Sequence, residues 1–176
     1  MNKAATQYTK GILRRCAREN GLTHAQINEY ARHSDFPYLD HLSAMGMVQY
    51  QHIFKPSGYL YSVFGGMIEG IPNLDNYHVI LVIRDPRDVL TSRYFSHAYS
   101  HLPPGRSKIE AFDNRVAFAQ QAGIDRYVLE WSDEVCQIYQ RYLDLLVNRQ
   151  SNVYITKYEH MMSDFPAWLD GVLDYC

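Results

Sequence analysis

The sequence predicts an α/β fold with a mainly parallel sheet. Three observations carry this expectation. His78 to Ile83 (HVILVI) is a near-continuous β-branched run, the pattern of a strand buried on both faces. Asn152 to Thr156 (NVYIT) is a second strand-like segment. Long helical patterns fill the chain between them, and strands alternating with helices make parallel sheets.

Along the chain, Tyr8, Ile12 and Cys16 recur at i, i+4 and i+8, which predicts a helix that stops at Asn20-Gly21. A second helix is expected over His24 to Arg32, with Thr23 as its N-cap. Met47 to Phe54 has strand character, and Lys55-Pro56-Ser57-Gly58 ends it. An aromatic, glycine-containing stretch follows from Tyr59 to Gly66, and Pro72 to Asn76 reads as a turn. After the 78–83 strand, Asp85-Pro86 has the chemistry of an N-cap and first helical residue, so a helix should run from about Pro86 to about His101. Further helical patterns cover Lys108 to Gln121 and Ile124 to Asn148. Asp164 caps a last helix, with Pro166 inside its start.

Composition narrows the function classes. The 176 residues fit one domain, residues 1–176. Lys and Arg number 17 against 19 Asp and Glu, a net charge of -2, so a broad basic face for nucleic acid is not expected. No apolar run has the length to span a membrane. Three cysteines without CxxC spacing indicate neither a disulfide framework nor a zinc knuckle, and a cytoplasmic, reducing compartment is the expectation.

Ligands of open α/β sheets sit at the carboxyl ends of the strands, which singles out three segments. Asn2-Lys3-Ala4-Ala5-Thr6-Gln7 places small residues and a lysine before a helix N-terminus, a combination able to cradle a phosphate. It is not a Walker A motif, and it also fits a surface lysine before a capped helix. Arg84-Asp85-Pro86-Arg87-Asp88 follows the central strand. The Arg84 guanidinium can fork onto a phosphate, and Ser92, two turns into the helix, offers a hydroxyl. Simple pairing of Arg84 and Arg87 with Asp85 and Asp88 is the alternative. Tyr158-Glu159 follows the last strand, where the ring is placed either to edge a base or to pack.

Together these segments resemble the sulfotransferases that use 3′-phosphoadenosine 5′-phosphosulfate (PAPS). Arg-Asp-Pro-Arg-Asp-Val-x-x-Ser is similar to the family's 3′-phosphate motif, with Arg84 and Ser92 eight positions apart. Residues 2–8 resemble the PKSGTTW loop that holds the phosphosulfate, and Tyr158-Glu159 resembles a Tyr-Glu-Asp segment near the adenine. The order is the family's, and the motifs span nearly the whole chain. Departures are Ala5 for the loop glycine, Gln7 for its second threonine and His160 for the last Asp. A strand before the loop and an Arg-Lys-Gly loop after residue 176 are missing, so a partial domain is expected.

The resemblance implies a P-loop-like three-layer α/β/α architecture and transfer of a sulfuryl group from PAPS to a hydroxyl or amine. It implies a small-molecule or carbohydrate acceptor, and no metal. Lys3 is the expected catalytic cation, and Lys3, Ala4, Ala5, Thr6, Gln7, Arg84, Ser92 and Tyr158 are the expected nucleotide contacts. His52, in Gln51-His52-Ile53-Phe54-Lys55-Pro56, is the expected base, because a histidine titrates near neutrality. His97 and His101, four apart on one predicted helix, are the runner-up pair. They also have metal-ligand spacing but lack a third ligand in the sequence nearby. The Tyr59 to Gly66 stretch is expected to line the acceptor pocket. A binding-only relative that keeps nucleotide affinity without turnover is the alternative.

Overall fold

The computed structural model describes residues 3–176, except for the side chain of Arg106. Asn2 of the expected phosphate loop therefore lies outside the described residues. The chain is mixed α/β and mostly helical. Its strands form two separate two-stranded parallel sheets.

The pair that positions the site is β3 (Val79–Ile83) with β4 (Val153–Lys157), in register from Val79↔Val153 to Ile83↔Lys157. Both faces of this pair are covered. Ile80, Val82 and Tyr154 pack on Trp168 and Val172 of α7 (Phe165–Tyr175). Val79, Leu81 and Ile83 pack on Tyr142 and Leu146, at the end of α5 (Ile109–Tyr142) and the turn after it. Alternate residues thus feed opposite helical layers, as strand geometry requires. Trp168 at 1% exposure anchors one of these layers.

The chain between β3 and β4 is the crossover that a parallel pair needs. It begins with α4 (Pro86–Phe95), where the Asp85 side chain accepts from the Arg87 amide and Pro86 occupies the first turn. Val89, Leu90 and Tyr94 of α4 lock onto Val135 and Tyr127 of α5. Residues 109–142 break at Gly123 (φ 71°, ψ 172°), which matches the gap expected between two helical patterns. A separate core gathers Ile27, Leu39, Met47, Phe54 and Ile68.

Three expectations are corrected. The wide central sheet of a P-loop-like three-layer sandwich is not formed among the described residues, because β3 pairs with β4 alone. Its burial is correspondingly partial, with only Leu81 fully buried. Met47 to Phe54 is not a strand. It follows a short helix, α3 (Ala44–Met47), as the 3-10 turns Val48–Ile53. Met47, Tyr50 and Ile53 point into the core at a spacing of three, which a helical turn satisfies and a strand does not. Thr23 does not cap a helix from His24. It opens β1 (Thr23–Ala25), which pairs in parallel with β2 (Tyr59–Tyr61), and α2 (Ile27–His33) starts three residues later than expected.

Candidate active site

The site grows from the end of β3. The strand delivers Arg84 to its carboxyl end, and the Asp85 cap turns the chain away at once. Arg84 then touches all three segments that the sequence singles out. Its Nη1 donates to the Lys3 carbonyl at 2.8 Å. Its guanidinium carbon lies 4.2 Å from the centroid of the Tyr158 ring. Its Nη2 stands 3.7 Å from Asp88 on α4. Tyr139 of α5 donates its hydroxyl to the Arg84 carbonyl. The side chain is largely buried, and its Nε has no hydrogen-bond partner among the described residues.

The Tyr158-Glu159 segment is fixed to the same corner. Tyr158 is the first residue of α6 (Tyr158–Ser163), directly after β4, and the Glu159 carboxylate accepts from the Asp85 amide at 2.9 Å. The alternative pairing is present as well. Arg87 forks onto Asp85, with contacts at 3.0 and 2.6 Å. Those bonds hold the Asp85 carboxyl down to about 2. Arg87 is strongly exposed, so that pair is a surface feature of small energetic weight. Arg84 is the buried member of the motif.

The loop preceding α1 (Thr6–Glu19) approaches from the other side. Ala5 adopts φ 54°, ψ 34°, a left-handed conformation that L-residues other than Asn and Asp rarely take. The sequence places alanine where the resembling loop has glycine, and the chain makes the turn nonetheless. The geometry survives because Ala4 is buried at 2% and the Ala5 carbonyl accepts from the Thr9 amide at 2.9 Å. Ala5→Gly is expected to relieve this conformation. Strain relief of about 1–2 kcal/mol, less the entropy of glycine of about 0.5–1 kcal/mol, predicts a melting temperature up to a few degrees higher. A lower value would mean that the turn costs alanine less than the entropy glycine brings.

Lys3 lies in the wall of a cavity of about 1190 Å³. Burial, then the charge of Arg93, lower its pKa from the ordinary lysine value. Its ammonium makes no hydrogen bond or ion pair with the described residues. Thr6, Gln7, Arg84, Ser92 and Tyr158 line the same cavity, while Ala4 is buried behind it. In all, eight Lys and Arg residues face three acidic residues around this wall. A chain of net charge -2 has therefore placed eight of its 17 Lys and Arg residues around one concavity, the electrostatic form of an anion site.

His97 and His101 also line the cavity. The His97 Nδ1 lies 2.8 Å from the Tyr127 hydroxyl. Burial, followed by Arg93, Arg115, His101 and Lys3, pushes its pKa down to about 3. His101 is lowered by burial and by Lys3, Arg32 and Arg115. Both imidazoles are thus neutral near pH 7 and add no charge to the wall. His52 is placed elsewhere: it sits exposed on the Val48–Ile53 turns and is not part of this cavity wall. Of the Tyr59 to Gly66 stretch, Ser62, Val63, Gly65 and Gly66 reach the wall.

Sequence reasoning missed three wall residues. Arg93 donates to Glu134 at 2.8 Å and packs 4.5 Å from the Trp131 ring centroid. Its signal was available, since it follows Ser92 directly. Asp40 and Asn28 come from the N-terminal core, where no motif marks them.

No curated protein and no solved structure matches this chain. The family model described as "Sulfotransferase domain" matches residues 69–176. That span holds β3, Arg84, Ser92 and Tyr158, and excludes the Lys3 loop and Asp40. The match covers more than half of the sequence, and the chain belongs to the sulfotransferase domain family.

Proposed function

We propose that this chain transfers a sulfuryl group from PAPS to a hydroxyl or amine acceptor. The observation that carries the reading is the convergence on Arg84 of Lys3, Asp88 and Tyr158, three segments from the two ends and the middle of the chain. A largely buried guanidinium whose ion pair with Asp88 spans 3.7 Å suits a dianionic phosphate better than it suits that single distant carboxylate. Ser92, on the same wall, adds a hydroxyl to the 3′-phosphate, and the half-buried Tyr158 in that wall is available to the adenine.

The reaction then needs charge stabilisation where the sulfuryl–phosphate bond breaks. Lys3 supports this role, since its ammonium is half-buried, near the charge of Arg93, and without a partner among the described residues. Negative charge developing on the leaving phosphate would restore its proton affinity. A positioned cation in a low-dielectric cavity stabilises that charge more strongly than water does.

Thermal melting tests the reading. Adenosine 3′,5′-bisphosphate at about 100 times its Kd should stabilise the chain by about 2.7 kcal/mol, whereas 5′-AMP and ATP at equal concentration should give much smaller shifts. Equal shifts for all three would mean that the site does not read a 3′-phosphate.

A further inference from the structure

We infer that the acceptor carries a second, negatively charged group, a carboxylate, sulfate or phosphate, which Arg115 holds together with Arg32 and the Tyr38 hydroxyl. The inference rests on the sulfuryl-transfer reading above. Six of the eight Lys and Arg residues around the cavity are already bonded within the chain. Lys10 pairs with Glu29 at 3.1 Å, Arg93 with Glu134 at 2.8 Å and Arg141 with Glu69 at 2.5 Å. Lys108 donates to the carbonyls of Ala31, Ser34 and Phe36, Arg84 to that of Lys3 and Arg32 to that of Leu102. Lys3 and Arg115 are the two left without a hydrogen bond or ion pair among the described residues. The acids of the wall are engaged elsewhere. Glu29 and Glu134 belong to those pairs, and Asp40 accepts from the Gly65 and Gly66 amides.

Arg115 stands apart from the Arg84 corner. Phe112 and Arg115 are three residues apart on one face of α5, and both line the cavity. The Phe112 ring centroid is 6.1 Å from that of His101. The next residue, Leu102, accepts from Arg32. Lys108 ties the Ala31 carbonyl, beside Arg32, to the Tyr38 ring, whose centroid is 4.7 Å from its ammonium. Arg32 and Arg115 thus flank the His101-Leu102 segment, with Tyr38 close to Arg32. Burial raises the Tyr38 pKa, Arg32 and then Arg115 lower it, and Asp40 and Glu29 raise it. Both guanidiniums therefore act on that hydroxyl, which has no hydrogen bond with the described residues. Besides burial, the charges of Lys3 and Arg115 both lower His97 and His101, so the two unpaired cations share one histidine pair. An arginine on an outer face needs only water. Arg115 shares a concavity with seven other cations, and their summed field favours an anion there. A guanidinium fork suits a carboxylate, sulfate or phosphate. PAPS brings its phosphosulfate to Lys3 and its 3′-phosphate to Arg84, so an anion at Arg115 has to come from the acceptor.

Transfer from sulfur-labelled PAPS is measured on three matched pairs: phenyl β-glucuronide and phenyl β-glucoside, glucosamine 6-sulfate and glucosamine, 4-hydroxyphenylacetate and its amide. In the pairs that react, the acid should be better by about tenfold or more in kcat/KM, the difference a charged hydrogen bond supplies. Arg115→Ala should erase that preference through KM, and Arg115→Glu should turn it towards the neutral partner. Both variants should keep the affinity for adenosine 3′,5′-bisphosphate. Arg115 is exposed on α5, so neither should unfold. Equal or better transfer to the neutral partners, a preference that survives Arg115→Ala, or no transfer to any acid by a chain that binds the bisphosphate would overturn the inference. So would a parallel loss of bisphosphate affinity, which would put Arg115 at the nucleotide. A chain that does not bind the bisphosphate at all would overturn the sulfuryl-transfer reading first, and this inference with it.

Discussion

Lys3→Ala should lower kcat by about 100- to 1,000-fold, the loss seen when one preorganised charge-stabilising donor is removed. Affinity for adenosine 3′,5′-bisphosphate should fall far less, because charge on the leaving oxygen develops during transfer and Lys3 acts mainly then. The fold should not suffer. Burial and Arg93 already disfavour the charged form of Lys3, so its removal takes away a repulsion rather than a bond. A melting temperature equal to or above that of the wild type is therefore expected. The discriminating quantity is the ratio of the two losses. Equal falls in kcat and in affinity would make Lys3 a binding residue only, as in a relative that holds nucleotide without turning it over.

Arg84→Ala has the second large effect. On the proposed reading the guanidinium donates to the charged 3′-phosphate, and a hydrogen bond to a charged acceptor is worth about 1.5–3 kcal/mol. Its loss should weaken adenosine 3′,5′-bisphosphate by roughly 10- to 150-fold. The Lys3 carbonyl also loses its donor, and Tyr158 loses the cation over its ring. Affinity for 5′-AMP, which lacks the 3′-phosphate, should change much less. Arg84→Lys should not restore binding, since an ammonium lacks the planar fork that reaches the phosphate and the Lys3 carbonyl together. Restoration by lysine would mean that position 84 supplies charge alone. Calorimetric titration of the three variants with both nucleotides measures these differences.

How much of this was legible in the sequence follows from locality. The β3–Asp85–α4 junction was readable because its signals are adjacent: a β-branched run, an N-cap aspartate and a proline in the first turn. The same holds for Asp164 and Pro166 at the start of α7. Thr23 and residues 47–54 were misread because tertiary contacts decide them. Thr23 looks like a cap, yet the strand β2, more than thirty residues away, draws it into a ladder. Met47 to Phe54 alternates like a strand, but the Ile27–Leu39–Phe54 core takes it at helical spacing.

The site divides in the same way. Arg84 and Tyr158 were singled out from the ends of strands, where the fold class itself points, and the structure puts both in one cavity wall with Ser92. Asp40 carries no local mark. It lies in a 3-10 turn (Leu39–His41), and its partners Asn28, Gly65 and Gly66, from 12 to 26 residues away, hold it in the cavity wall. His52 shows the converse. A favourable residue type was read onto a strand that does not form, and the side chain stands at the surface.

The central claim is that Arg84 and its neighbours form a site for the 3′-phosphate of PAPS. Calorimetric titration of the full chain with adenosine 3′,5′-bisphosphate, against 5′-AMP, tests it most directly. The account predicts saturable one-to-one binding that is at least about tenfold tighter for the bisphosphate, the difference a charged hydrogen bond supplies. Equal affinities for the two nucleotides in a folded chain, or no binding of either, would contradict it.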